Sequence, residues 1–272
     1  MRKQKISLLD KSKNLARGAL SSLASKSTPA RKLESWSQEQ RARGQINKSL
    51  AFAKKNLKPS ELLDFERWLS EQLAADTKLK PRVGLDVTSL GIFPPDISPK
   101  KLSVELGLVK ERLERNKGLF EHFVLDAQKL ISDIRIENWN GALETLKVIE
   151  GRDGFSYWLI ETRLSLLEKT EGIEAIKNLI SQMSEYAYGI LRFHLYHLGV
   201  RNEPAQNSSR FKVNTKKRIE ESELPQQLKD YSKYRLYSAL DMDVGSLPSV
   251  LACEQVNNLV DLLVTAARET LK

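Results

Sequence analysis

Residues 139–183 read WNGALETLKVIEGRDGFSYWLIETRLSLLEKTEGIEAIKNLISQM. Apolar side chains recur at three- and four-residue steps in Trp139 to Ile149, in Phe155 to Leu167 and in Ile173 to Met183, the spacing of one helix face. Gly151-Arg-Asp-Gly154 and Thr170-Glu-Gly172 stand between them as turns. Links this short force consecutive helices to lie side by side and antiparallel. The stretch therefore predicts stacked helical hairpins, and the flanking sequence extends the same pattern.

On the N-terminal side, Leu102, Leu106, Val109, Leu113, Phe120, Phe123, Val124, Ala127, Leu130, Ile131 and Ile134 follow helical spacing, with Gly118 as the expected interruption. Ser98 followed by Pro99 is a start signal for this run. On the C-terminal side a helix is expected from Tyr186 to Leu198, then from Leu224 to Leu240 and from Leu247 to Leu271. Asn202 to Glu223 is polar and basic without apolar periodicity, and reads as a surface loop. Ser60 is the expected cap of a helix whose buried face holds Leu62, Leu63, Phe65, Trp68, Leu69 and Leu73. Residues 77–99 carry Pro81, Gly84, Gly91, Pro94, Pro95 and Pro99, which marks a boundary, with an extended piece around Arg82 to Val87. The expected organisation is a basic helical arm at 1–58, a helix and Pro/Gly-rich linker at 59–97, and an all-α, solenoid-like body at 98–272 with a polar loop at 202–223.

Charge is distributed unevenly. Residues 1–60 hold fifteen Lys or Arg against three acids, a net +12, while the other 212 residues hold 29 against 32, a net −3. A segment this basic seeks a polyanion or an acidic protein surface. Its candidate contacts are Lys11, Lys13, Arg17, Arg31, Lys32, Arg41, Arg43, Lys54 and Lys55, joined by Lys216, Lys217 and Arg218 from the polar loop, with aromatic help from Trp36 and Phe52. Residues 6–25 also read as a basic amphipathic helix, so an anionic membrane is a lower-ranked partner. The acid-poor, Ser- and Ala-rich start shares composition with organellar transit segments.

Other classes are narrowed by what the sequence lacks. A single cysteine, Cys253, allows no internal disulfide and suits a reducing, cytoplasmic setting. No stretch approaches the roughly 18 apolar residues of a membrane span; the run Leu259 to Ala267 is broken by Asp261. Phosphate-binding glycine loops and a G-x-S-x-G elbow are missing. The histidines are His122, His194 and His197, and no acidic partner stands at metal-ligand spacing, so no metal and no cofactor are expected. Asp241-Met-Asp243 reads as polar residues at a helix end.

Two resemblances bear on function. Ala142-Leu-Glu-Thr-Leu146 and Ala175-Ile-Lys-Asn-Leu179, 33 residues apart, each follow a small polar or glycine turn. This resembles the second helix of tetratricopeptide-type repeats, which implies helix pairs that present a groove to a partner peptide. Arg192-Phe-His-Leu-Tyr-His197 resembles the active motif of HEPN-type ribonucleases. That resemblance implies a phosphate-stabilising Arg192 and an acid–base His197, in a site completed across a dimer. The first reading of the chain is a non-catalytic scaffold or adaptor that binds a protein partner. The rival is an RNA-directed protein.

Overall fold

A computed structural model of the chain describes residues 8–21, 45–75, 84, 87–94, 97–203, 207–237 and 244–270. Among the described residues the protein is all-α, with thirteen α-helices, one short 3-10 turn at Val244–Ser246 and no strand. The chain forms two compact units: one of residues Met1–Pro81 and Pro94–Arg115, the other of Arg82–Phe93 and Asn116–Lys272.

The first unit holds α1 (Leu8–Ser21), α2 (residues 45–56), α3 (Pro59–Ala75) and α4 (Leu102–Arg115). Its core gathers Ala16, Leu50, Ala53, Leu62, Phe65, Leu69, Leu108 and Val109. Lys58, whose carbonyl accepts from Leu62 N–H and whose own N–H donates to Glu61, caps α3 in place of Ser60. Lys101 starts α4, so the expected start at Ser98 is displaced by one turn.

Charge also holds this unit together. Glu105 is fully buried; one oxygen accepts from Lys54 Nζ at 2.8 Å and the other from Lys100 N–H at 2.7 Å. Burial lowers the Lys54 ammonium pKa, and Glu105 opposes that shift. Arg112 meets the buried Glu66 through Nε at 2.7 Å. On α1, Lys13 and Arg17 lie over the Trp68 ring at 5.8 and 5.5 Å.

The second unit begins at α5 (Lys117–Arg135) and continues through α6 (Trp139–Asp153), α7 (Tyr157–Thr170), α8 (Ile173–Tyr186) and α9 (Gly189–Arg201). Each packs on the next. The links are two or three residues long; two of them turn on Gly154 and Gly172, at φ +85° and +79°, a region open to glycine, and the α5–α6 link turns on Glu137 at φ +58°. Caps fix the starts: Asn138 accepts from Gly141 N–H for α6, and Ser156 accepts from Leu159 N–H for α7. After α10 (Ser208–Glu221) and α11 (Gln226–Leu236) the chain turns back, and α12 (Leu247–Asn257) and α13 (Leu259–Thr270) bring it to α7. An open solenoid touches only its neighbours; this stack is closed by α13 against α7.

Four expectations need correction. Residues 208–221 are not a loop but α10, because Phe211, Thr215 and Ile219 recur every four residues and are buried. The run Leu247 to Leu271 is two helices, broken at Asn258, whose side chain accepts from Asp261 N–H and donates to the Asp261 carboxylate. The break near Gly118 falls at Asn116 instead, so α4 groups with the first unit. The described part of the expected linker is packed: Leu90 is fully buried, and Gly84 N–H donates to the Asp153 carbonyl at 2.8 Å. The rest of the 82–87 segment, apart from Gly84 and Val87, lies outside the described residues.

Candidate functional site

The densest concentration of polar chemistry sits inside the second unit, where α7, α9, α11, α12 and α13 converge. Arg235 on α11 is buried, with one guanidinium nitrogen, Nη2, bonded to Glu254 of α12 and standing 3.3 Å from Asp261 Oδ1 of α13. Its Nε–H donates to the Tyr231 hydroxyl at 3.2 Å. The guanidinium lies 4.9, 5.5 and 5.7 Å from the rings of Tyr157, Tyr231 and Tyr234. Burial works against the Arg235 charge, but the Asp261 and Glu254 carboxylates outweigh it and raise its pKa. Burial pushes Glu254 up to about 8. The cluster is therefore one buried guanidinium held between the carboxyl groups of Glu254 and Asp261, with burial favouring the neutral form of Glu254 and so limiting the uncompensated charge in the core.

Asp261 has a second task. Its two oxygens accept from Tyr157 N–H at 2.8 Å and Trp158 N–H at 2.9 Å, the first donors of α7. These donors have no partner within their own helix. A carboxylate there also meets the positive end of the helix dipole. One side chain thus fastens α13 to α7 and α11.

Beside it runs a neutral chain. Ser232 donates its one hydroxyl proton to the Leu228 carbonyl at 2.7 Å. His194 Nε2, 3.0 Å from Ser232 Oγ, must then be the protonated nitrogen, and Nδ1 accepts from Tyr157 O–H at 2.8 Å. Burial supports the assignment: it lowers His194 to about 3 and raises Tyr157 well above the ordinary phenol value. A serine and a histidine in contact suggest a nucleophile and base. Here the serine's proton points to a backbone carbonyl, and His194 and Ser232 are both fully buried. Gly91, at φ +76°, seals the same region, with so little room that a Cβ would stand 3.0 Å from Tyr157 Oη and from Leu191.

A second feature lies on the surface. Between the C-terminal half of α7 and α8 runs an open groove of about 350 Å³, lined by Arg163, Leu167, Glu171, Ala175, Asn178, Leu179 and Gln182. Leu167, Ala175 and Leu179 supply its apolar lining. Asn178 and Gln182, one turn apart on α8, are exposed. Arg163 is bonded to Glu150 of α6. The lining carries no histidine, cysteine or hydroxyl, so it can bind but holds no nucleophile.

The residues singled out from the sequence scatter. Arg192 is exposed on α9 while His197 on the same helix is buried, its Nδ1 3.4 Å from Thr215 Oγ1 and its pKa lowered by burial to about 4; the two are not brought together within the chain. Lys54 is spent internally on Glu105 and is no surface contact, a correction to its expected role. Lys11, Arg17 and Lys55 are exposed and Lys13 is half-buried, whereas Arg31, Lys32, Arg41, Arg43 and Trp36 lie outside the described residues. Lys216, Lys217 and Arg218 are exposed on α10. Ala142 is fully buried in α6, while Ala175, its counterpart 33 residues on, lines the groove. Cys253 is buried and donates weakly to the Gln227 carbonyl. Asp241 and Asp243 lie outside the described residues. Among the described residues no group of three His, Cys, Asp or Glu could hold a metal ion, and no helix is long and apolar enough to cross a membrane.

Sequence reasoning missed Arg235, Glu254 and Tyr157, and saw Asp261 only as a flaw in an apolar run. The available signal was Tyr231, Tyr234 and Arg235 at helical spacing, an aromatic stripe carrying a cation. No protein-family model, no curated protein and no solved structure matches this chain.

Proposed function

We propose that this chain is a non-catalytic interaction scaffold that holds an extended segment of a protein partner in the groove between α7 and α8. The observation that carries this reading is the groove's lining. Each carboxamide of Asn178 and Gln182 offers one donor side and one acceptor side, the complement of a peptide unit. They stand one helical turn apart, about 5–6 Å. Same-face residues of an extended peptide repeat at about 6.6 Å, a difference that side-chain rotation absorbs. Leu167, Ala175 and Leu179 accept an apolar side chain between those amides. A volume of about 350 Å³ lies at the small end of binding pockets and suits one or two side chains. The polar cluster, in contrast, is buried and its hydrogen bonds join its own members, with Arg235 Nη1 and Glu254 Oε2 left without a partner among the described residues; its enclosure favours a structural role for it.

The test compares affinity capture from nuclease-treated native lysate by the wild-type chain, by Leu179→Arg and by Asn178→Ala/Gln182→Ala. The proposal expects one protein held by the wild type, lost with Leu179→Arg and weakened about 5- to 150-fold by the double substitution, two hydrogen bonds of about 0.5–1.5 kcal/mol each. Capture that survives both variants would remove the groove from the function.

A further inference from the structure

The faces of α9 and α10 opposite the core carry a surface of different chemistry from the groove. On α9, Arg192 and Tyr196 are four residues apart, share one face and are exposed, Tyr196 by 53%. On α10, Arg218 reaches across and sets its guanidinium over the Tyr196 ring at 5.7 Å. That contact fixes which side of α10 adjoins α9. With Phe211, Thr215 and Ile219 turned inward, the arc running outward from Arg218 contains Glu221, which pairs with Lys217, and three further residues, Asn214, Arg210 and Lys217. All three are exposed. Ser208 to Arg218 hold five cations and no acid, within a sequence that is net −3 from residue 61 onward. Of the acids that follow, Glu220 pairs with Lys233 at 2.6 Å and Glu221 with Lys217 at 3.8 Å, while the exposed Glu223 lies beyond the end of α10. Arg192 and Arg210 have no acidic partner among the described residues.

We propose that this α9–α10 face binds single-stranded nucleic acid. Arg192, Arg210, Lys217 and Arg218 meet phosphates, and Tyr196 gives a base a ring to stack on. Three of the four cations are arginines, whose planar guanidinium matches phosphate oxygens and stacks on rings. A strand of phosphates with bases turned outward requires cations and an exposed aromatic together. An acidic peptide requires only the cations, which is why nucleic acid is preferred. The face is separate from the α7–α8 groove, so either function stands without the other.

The probe is a labelled 20-nucleotide oligouridylate, titrated with the full chain by fluorescence anisotropy from 50 to 200 mM salt. Four phosphate contacts on a single strand give a slope of log K against log salt of about −3, an affinity loss of about 50-fold over that range. Arg218→Gln is expected to reduce the slope by about 0.7. Tyr196→Ala is expected to weaken binding about 5- to 150-fold with the slope unchanged. All substituted side chains are exposed, and the helical circular dichroism signal checks that each variant folds. The proposal is overturned if no binding occurs at 50 mM salt. It is also overturned if Arg192→Gln/Arg210→Gln/Lys217→Gln/Arg218→Gln binds like the wild type, which would place binding on the basic N-terminal segment. Equal affinity for polyglutamate, with Tyr196→Ala silent, would overturn it in favour of an acidic protein surface.

Discussion

Replacing Asp261 with alanine tests how the second unit is closed. The substitution removes the acceptor of the buried Tyr157 N–H and of the Trp158 N–H, at 2.8 and 2.9 Å, and the carboxylate 3.3 Å from Arg235. A buried donor left without a partner costs about 1–3 kcal/mol. Removing one member of a buried ion pair costs about 3–5 kcal/mol. The two costs overlap, because Glu254 still holds Arg235 and water can enter the gap, so the sum is an upper bound. A loss of about 3–6 kcal/mol is expected, a large share of the 5–15 kcal/mol that a domain commonly has. Asp261→Asn keeps one acceptor but loses the charge, and should fall between wild type and alanine. Urea unfolding followed by circular dichroism and by tryptophan emission gives the values, and the midpoint should drop without a large change in slope. A loss under 1 kcal/mol for Asp261→Ala would refute the claim that this carboxylate ties α13 to α7 and α11.

The ionisable groups of the core predict a stability optimum near pH 6–7. His194 and His197, lowered to about 3 and about 4, contribute stability that is present above pH 6.5 and lost as pH falls toward those values. Glu254, raised to about 8, works in the opposite sense: its contribution is full below about pH 4.5 and is lost as pH rises toward 8. Denaturation midpoints across pH 5–9 should show a decline of about 2 kcal/mol between pH 6.5 and 8 from Glu254, and Glu254→Gln should make that limb shallower, with Glu161, also raised by burial, acting in the same sense; an unchanged decline in the variant assigns it to another group. Gly91→Ala forces a side chain into a φ of +76° with 3.0 Å contacts to Leu191 and Tyr157, and should cost about 1–3 kcal/mol by the same urea assay. A neutral result there would mean that the 87–93 segment yields easily and does not seal the polar chain.

The stack was legible where the pattern is local. Helices α6 to α9 lie within a few residues of their expected bounds, because apolar periodicity and the turns read at Gly151–Gly154 and Thr170–Gly172 act over short distances; the Asn138 and Ser156 caps are equally local but were not read from the sequence. Helix α10 was hidden because only one residue per turn faces inward, and five cations mask it. The α11 face was hidden for a deeper reason. Asp230, Tyr231, Ser232, Tyr234 and Arg235 are buried, and what makes a buried arginine tolerable is Asp261 and Glu254 on other helices. Periodicity scores such residues as solvated. A groove was implied by the repeat resemblance that includes Ala175 and Leu179, but its polar lining was not, since Asn178 and Gln182 look like any exposed polar pair until they line it together with Leu167 of the neighbouring helix.

A selection of extended peptides from a random library on the immobilised full-length chain reads the proposed groove most directly. The account predicts enriched peptides that share one apolar residue, bind the wild type, and lose binding to Leu179→Arg and to Asn178→Ala/Gln182→Ala while the helical signal of both variants is intact. Peptides that bind these variants as tightly as the wild type, or a library from which none is enriched, would contradict it.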